Sequence, residues 1–306
     1  MSLVSTPYGF KPVRLIGNRY VGGALPTNQY RIKQNYATPI PNGSPVVLTA
    51  ATTFLSAAAL TSATYVGNLV TIVFAAAQTG LFAGMPITVS GITGATALNG
   101  TFTVQSQSVG SDAAGYTTFT YTVPTTPTGT AVVTTVTITG GGGFLAAPTN
   151  GTFNTNGDKY VGIFVGCQYT NAQNGQPQWD QWYPGNVSSA NMVGYVIDDP
   201  DAVFQVQCST SYFDALSAVG SSYGFTTITA GFGTTTPTVT AYAAATSYNS
   251  LTKDSLCVLD IGGGTSTTKA YKIVDISQTP DNVNDVGFVD VFVTAQKATH
   301  VFTKAL

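Results

Sequence analysis

The chain has 306 residues and a formal net charge of −2, with only 8% of residues charged against roughly 25% in an average soluble domain. That balance lacks the clustered Lys and Arg of a nucleic-acid binder. No stretch reaches the ~18 consecutive apolar residues of a membrane-spanning helix.

The length fits about two domains, and 43% hydrophobic with 11% aromatic content is ample for a core. All 13 acidic residues are Asp. Glu favours helix interiors while Asp favours turns and caps, so its absence beside abundant Thr, Val, Gly and Tyr points to β structure. Between Lys33 and Asp158 the 124 residues Gln34–Gly157 hold one formal charge, Asp112. Such a desert marks a module of different character within the chain.

In chain order, Met1–Lys11 lacks the apolar core of a secretory signal, so none is expected. Residues 1–50 read as an extended arm with short strands, because Pro7, Pro12, Pro26, Pro39, Pro41 and Pro45 deny regular helix. All three arginines (Arg14, Arg19, Arg31), with Lys11 and Lys33, make this segment basic. It is either a contact arm for an acidic protein surface or simply solvated charge. Pro41-Asn42-Gly43 signals a turn before a strand at Ser44–Leu48.

The uncharged module carries strand patterns at Asn68–Phe74, Pro86–Ser90, Phe102–Val104, Phe119–Val123 and Ala131–Thr139, with an Asn-Gly turn at Asn99-Gly100. Five short strands in this span predict an all-β sandwich at 61–142. Alternating apolar and Thr positions put one face in the core and hydroxyls in water. Gly140–Gly143 closes the module. Residues 1–60 and 143–306 are then the two parts of one body.

Beyond Phe144, strands are expected at Tyr160–Tyr169, Val193–Ile197, Ala202–Cys208, Phe225–Thr229, Leu256–Ile261, Lys269–Ile276 and Gly287–Thr294. Short helices are conceivable only at Phe213–Ser217 and Thr246–Lys253. Cys167, Cys208 and Cys257 are odd in number and far apart, each in an apolar run. They read as small buried hydrophobes rather than a disulfide framework or zinc site.

Four features invite a chemical reading. Asp260-Ile261-Gly262-Gly263-Gly264-Thr265 has the form of a phosphate-binding loop, but it stands alone, without the strand–helix alternation such folds need. A glycine turn between antiparallel strands is the expected structure. Asp198-Asp199-Pro200-Asp201 offers carboxylates suited to calcium, or is an Asp-Pro turn. His300 lacks a nucleophile at any motif spacing. Trp179 and Trp182, amid Gln178, Asp180, Gln181 and Tyr183, are open to three readings: core packing, a protein interface or a sugar platform.

Four words of sequence carry a resemblance. Thr6-Pro7-Tyr8-Gly9-Phe10-Lys11-Pro12-Val13-Arg14 is similar to the opening of capsid decoration (cement) proteins of tailed phages. Asn42-Gly43-Ser44-Pro45-Val46-Val47-Leu48 resembles their strand entry, with Ser44 where an acidic residue is usual. Val161–Tyr169, followed by Trp179 and Trp182, resembles their central strand, and Asp198–Gln207 resembles the strand after it. The likeness covers roughly 6–50 and 144–306. The module, through Gly84–Gly91 and Leu98–Val104, resembles the Ig-like β-sandwich insertions of phage structural proteins.

The resemblance implies an all-β, jelly-roll-like β-sandwich body with an extended N-terminal arm, interrupted by an Ig-like sandwich. It implies a non-enzymatic protein on the outer surface of the virion, without cofactor, partnered by the major capsid protein and by itself as dimer or trimer. No nucleic-acid or membrane partner is expected. Tyr8, Phe10, Lys11, Pro12 and Arg14 become the expected capsid contacts. The alternative is a fibre or tail adhesin, or a carbohydrate-binding module, touching a host surface through the insertion or the Trp pair.

Overall fold

A computed structural model describes residues 6–302 apart from 17–24, 51, 56–59, 75–80, 82, 110–116, 135, 141, 149–158, 172, 190, 212, 231–236, 241, 243–247, 266–268, 279–281, 283–287 and 298. The chain is all-β. Its one helical element among the described residues is the short 3₁₀ turn Thr96–Leu98. It divides into two units, a body of 1–49 with 144–306 and an insert of 50–143.

In the body, β1 (Lys11–Leu15) is the edge of a seven-stranded sheet. It pairs with β16 (Ala202–Ser211), and the order continues through β19 (Cys257–Asp260), β17 (Ser222–Ala230), β20 (Tyr271–Ile276) and β21 (Phe288–Ala295). β21 pairs back onto β16, so the sheet closes on itself and hides its long strands from edge-to-edge pairing. β18 (Thr238–Thr240) adds to β17.

The six-stranded sheet runs β12 (Leu145–Ala146), β3 (Pro45–Leu48), β13 (Lys159–Thr170), β15 (Val193–Ile197) and β2 (Asn28–Arg31), with β14 (Pro177–Asp180) also on β13. Side chains from both sheets, among them Tyr160, Phe164, Phe204, Phe225 and Tyr271, join with Phe10 in one buried cluster. All three cysteines lie fully buried in it as free thiols. Burial pushes Cys167 and Cys257 up to about 12.

The insert is a pair of four-stranded sheets. One orders β5 (Leu60–Val66), β6 (Leu69–Phe74), β10 (Thr117–Thr122) and β9 (Ser106–Val109). The other orders β4 (Thr52–Leu55), β11 (Thr137–Gly140), β7 (Pro86–Ser90) and β8 (Gly100–Thr103). The alternation is clean on β7, where Ile87 and Val89 are buried while Pro86, Thr88 and Ser90 are exposed. Phe74, Phe119 and Tyr121 fill the centre, and the Tyr121 hydroxyl donates to the Leu98 carbonyl at 2.8 Å.

Three expectations change. The insert begins at Ala50 rather than 61, because Thr52–Leu55 pairs antiparallel with Thr137–Gly140 and so belongs to it. Among the described residues of the run Ala131–Thr139, Thr137–Thr139 alone lies in a strand, and Val132 makes a lone bridge to Thr93. The two helix positions are turns as far as they are described. Asp214 Oδ1 accepts the Ser217 N–H at 3.3 Å, and Asn249 Oδ1 accepts that of Leu251 at 2.9 Å, side chains capturing amides a helix would use.

Candidate binding surfaces

The sequence words behind the resemblance lie far apart in the chain but meet in space. The Phe10 N–H donates to the Gly43 carbonyl at 2.9 Å, and the Gly43 N–H donates to the Phe164 carbonyl at 2.9 Å. The Phe164 N–H returns to the Ser44 carbonyl at 2.9 Å. Lys11 and Pro12 pair with Gln205 and Phe204. Gly9 is required here, since a Cβ on it would stand 2.9 Å from the Gly43 carbonyl oxygen at a φ of +73°. One junction therefore joins all four words, and it ties the N-terminal segment into the body.

This junction corrects the expected contact set. Phe10 is 1% exposed and stacks on Tyr271 with centroids 4.4 Å apart, so its ring is core and has no face left for a partner. Tyr8 is half-buried. Its hydroxyl lies close to the half-buried Asp290 side chain. Burial first, then Asp290, push the Tyr8 hydroxyl far above its ordinary value, while burial raises the Asp290 carboxyl. The Lys11 ammonium sits 4.1 Å from the Tyr8 ring centroid.

Gln205 Nε2 donates to Asp290 Oδ2 at 3.2 Å, and Asn282 binds the Asp290 backbone from both sides. Nothing in the spacing of these residues marks the network in advance. Of the five expected contacts, Lys11 and Pro12 are exposed, and Arg14 is half-exposed with its guanidinium 5.8 Å from the Phe292 ring centroid. These three line the β1 edge.

The tryptophan pair separates. Trp182 is half-buried, 5.3 Å from Tyr248 and 4.8 Å from the Lys253 ammonium. Trp179 is 56% exposed. Its neighbours Gln178 and Asp180 point the other way: Gln178 Nε2 and the Tyr169 hydroxyl both donate to Asp180 Oδ2, at 3.0 and 2.6 Å.

The remaining chemical lures resolve into structure. Asp198 is 6% exposed and accepts Asn28 Nδ2 at 2.9 Å and the Tyr30 hydroxyl at 2.5 Å. Asp199 Oδ1 accepts the Asp201 N–H at 2.8 Å, and Asp201 lies 3.7 Å from Lys297. Their oxygens are thus engaged by four different partners rather than converging on one cation. Asp260 Oδ1 accepts the Gly263 N–H at 3.0 Å and holds its own glycine turn. His300 is 4% exposed, edge-on to Tyr160, and burial lowers its basicity.

The insert presents hydroxyls. Thr88 and Thr101 meet at 3.2 Å across β7 and β8, and Ser106 and Thr120 at 2.7 Å across β9 and β10. A shallow groove of about 310 Å³ lies along Pro86, Thr88, Thr101, Thr139 and Gly140, without a charged group in its lining. No family model, curated protein or solved structure matches the chain.

Proposed function

We propose that the chain is a structural virion protein that binds the outer surface of a phage capsid shell and stabilises it. The observation that carries this reading is the junction of Phe10, Gly43, Phe164 and the β1–β16 pairing. The words resembling decoration proteins form one hydrogen-bonded unit, and the insert sits wholly between them in sequence.

In this reading β1 offers the shell an edge whose donor count is already reduced by Pro12, with Lys11 and Arg14 orienting it toward acidic capsid groups. Phe10 acts from within, fixing β1 on the sheet. Burying standard-size interfaces across neighbouring capsid subunits would resist the pressure of packaged DNA. Self-association about a symmetry axis of the shell suits the same task.

The test is co-sedimentation of the purified chain with isolated capsid shells. Lys11→Asp with Arg14→Asp should abolish pelleting while the chain still folds and keeps a cooperative melting transition. Undiminished pelleting of that folded double variant refutes the β1 edge as the contact.

A further inference from the structure

We propose that the outer face of the six-stranded sheet is a sugar-binding platform centred on Trp179. This site is independent of the shell contact at β1.

Register builds the platform. Trp179 on β14 pairs with Gln168 on β13, Gln168 with Val193 on β15, and Val193 with Arg31 on β2. Paired residues share a face, so these four side chains form one row across four strands. A second row holds Gly166, Tyr195 and Gln29, again matched strand to strand. On the opposite side of β14, Asp180 accepts from both the Tyr169 hydroxyl and Gln178 Nε2, which holds those two side chains inward and leaves Trp179 outward.

The indole lies over Gly166. A Cβ there would meet its ring atoms at 3.0 and 3.4 Å, so the missing side chain is what lets the ring lie down on the strand. The Tyr195 hydroxyl donates to Gln168 Oε1 at 2.8 Å and pins that amide, whose Nε2 then remains as the donor. Arg31 and Gln29 are exposed at the far end of the two rows.

An open indole face in line with one fixed amide donor, a phenol and a guanidinium is the chemistry that recognises a sugar: a C–H face to stack and hydroxyls to hydrogen-bond. The size of the patch argues against a protein on this face alone. Three strand spacings give roughly 14 Å by about 7 Å, far below the ~800 Å² per partner of a stable protein interface. A short stretch of a polysaccharide fits.

The test applies the labelled full-length chain to a printed array of bacterial and mammalian glycans, followed by titration with the best-bound oligosaccharide. The wild type should bind at least one glycan. Trp179→Ala should weaken that binding by about ten-fold or more, as expected of an aromatic anchor. Trp179→Phe should retain part of it, and Gln168→Ala should weaken it several-fold. Leu216→Ala, an exposed apolar change elsewhere, should leave it unchanged. If Trp179→Ala fails to fold, Gln168→Ala combined with Arg31→Ala carries the same test. Absence of binding to every glycan overturns the proposal, as does undiminished binding by Trp179→Ala. Loss of shell co-sedimentation by Trp179→Ala without any glycan binding would identify the face as a protein contact instead.

Discussion

Replacing Phe10 by Ala separates a core residue from a contact residue. The ring is 1% exposed and stacked on Tyr271, which in turn donates to the Tyr160 hydroxyl at 2.9 Å. Truncating a fully buried Phe costs about 3–5 kcal/mol through lost transfer energy and a residual cavity, and the lost stacking partner places this case near the middle, about 4 kcal/mol. With a urea dependence of about 3 kcal/mol/M for a body of this size, the body's unfolding midpoint should fall by about 1.3 M. The assay is urea unfolding followed by near-ultraviolet circular dichroism, with the insert's own transition as an internal reference. A midpoint shift below about 0.3 M, together with loss of shell binding, would refute the placement of Phe10 in the core.

Other outcomes follow from equally local geometry. Deleting 50–143 and joining Thr49 to Phe144 should leave the body folded, because the Thr49 N–H already donates to the Phe144 carbonyl at 2.9 Å; loss of the body's melting transition would contradict this. Gly94→Ala places a Cβ 2.0 Å from the Thr130 carbonyl oxygen at a φ of +78°, so it should lower the insert's transition in calorimetry and spare the body's. Asp290 holds its proton more tightly in the folded protein than its ordinary value of 3.8. Its contribution is therefore fully present below that value and lost as pH rises through the raised one, so melting temperature should decline across that window, and Asp290→Asn should flatten the decline. The buried thiols should resist a disulfide reagent at pH 8 until the body unfolds; fast labelling of the native chain would contradict their burial.

The strands were legible where pattern alone decides. Val193–Ile197 has the expected bounds, and Pro86–Ser90 alternates as its spelling predicts. The insert's start escaped notice because Thr52–Leu55 gains its identity from pairing with Thr137–Gly140, a partner more than eighty residues away. The contact residues divided for a similar reason. An aromatic-Gly-aromatic word reads the same on an exposed arm as in a core, and only the Phe10–Tyr271 stack tells them apart. Trp179 and Trp182 are three positions apart yet differ in surroundings, because Gly166 lies beneath one and Lys253 beside the other. Tyr195 and Arg31 join Trp179 through strand order, which local spelling does not contain. The charge desert keeps its meaning as the mark of an insertion, with the hydroxyl pairs Thr88–Thr101 and Ser106–Thr120 wetting a surface that lacks charge.

The central claim is that the body seats on a capsid shell. A cryo-electron-microscopy reconstruction of the virion carrying this protein tests it directly. Density for the closed β body on the outer shell, with the Lys11–Arg14 edge against capsid subunits, is the outcome the account predicts. Density confined to the tail or its fibres, with the shell bare, would contradict it.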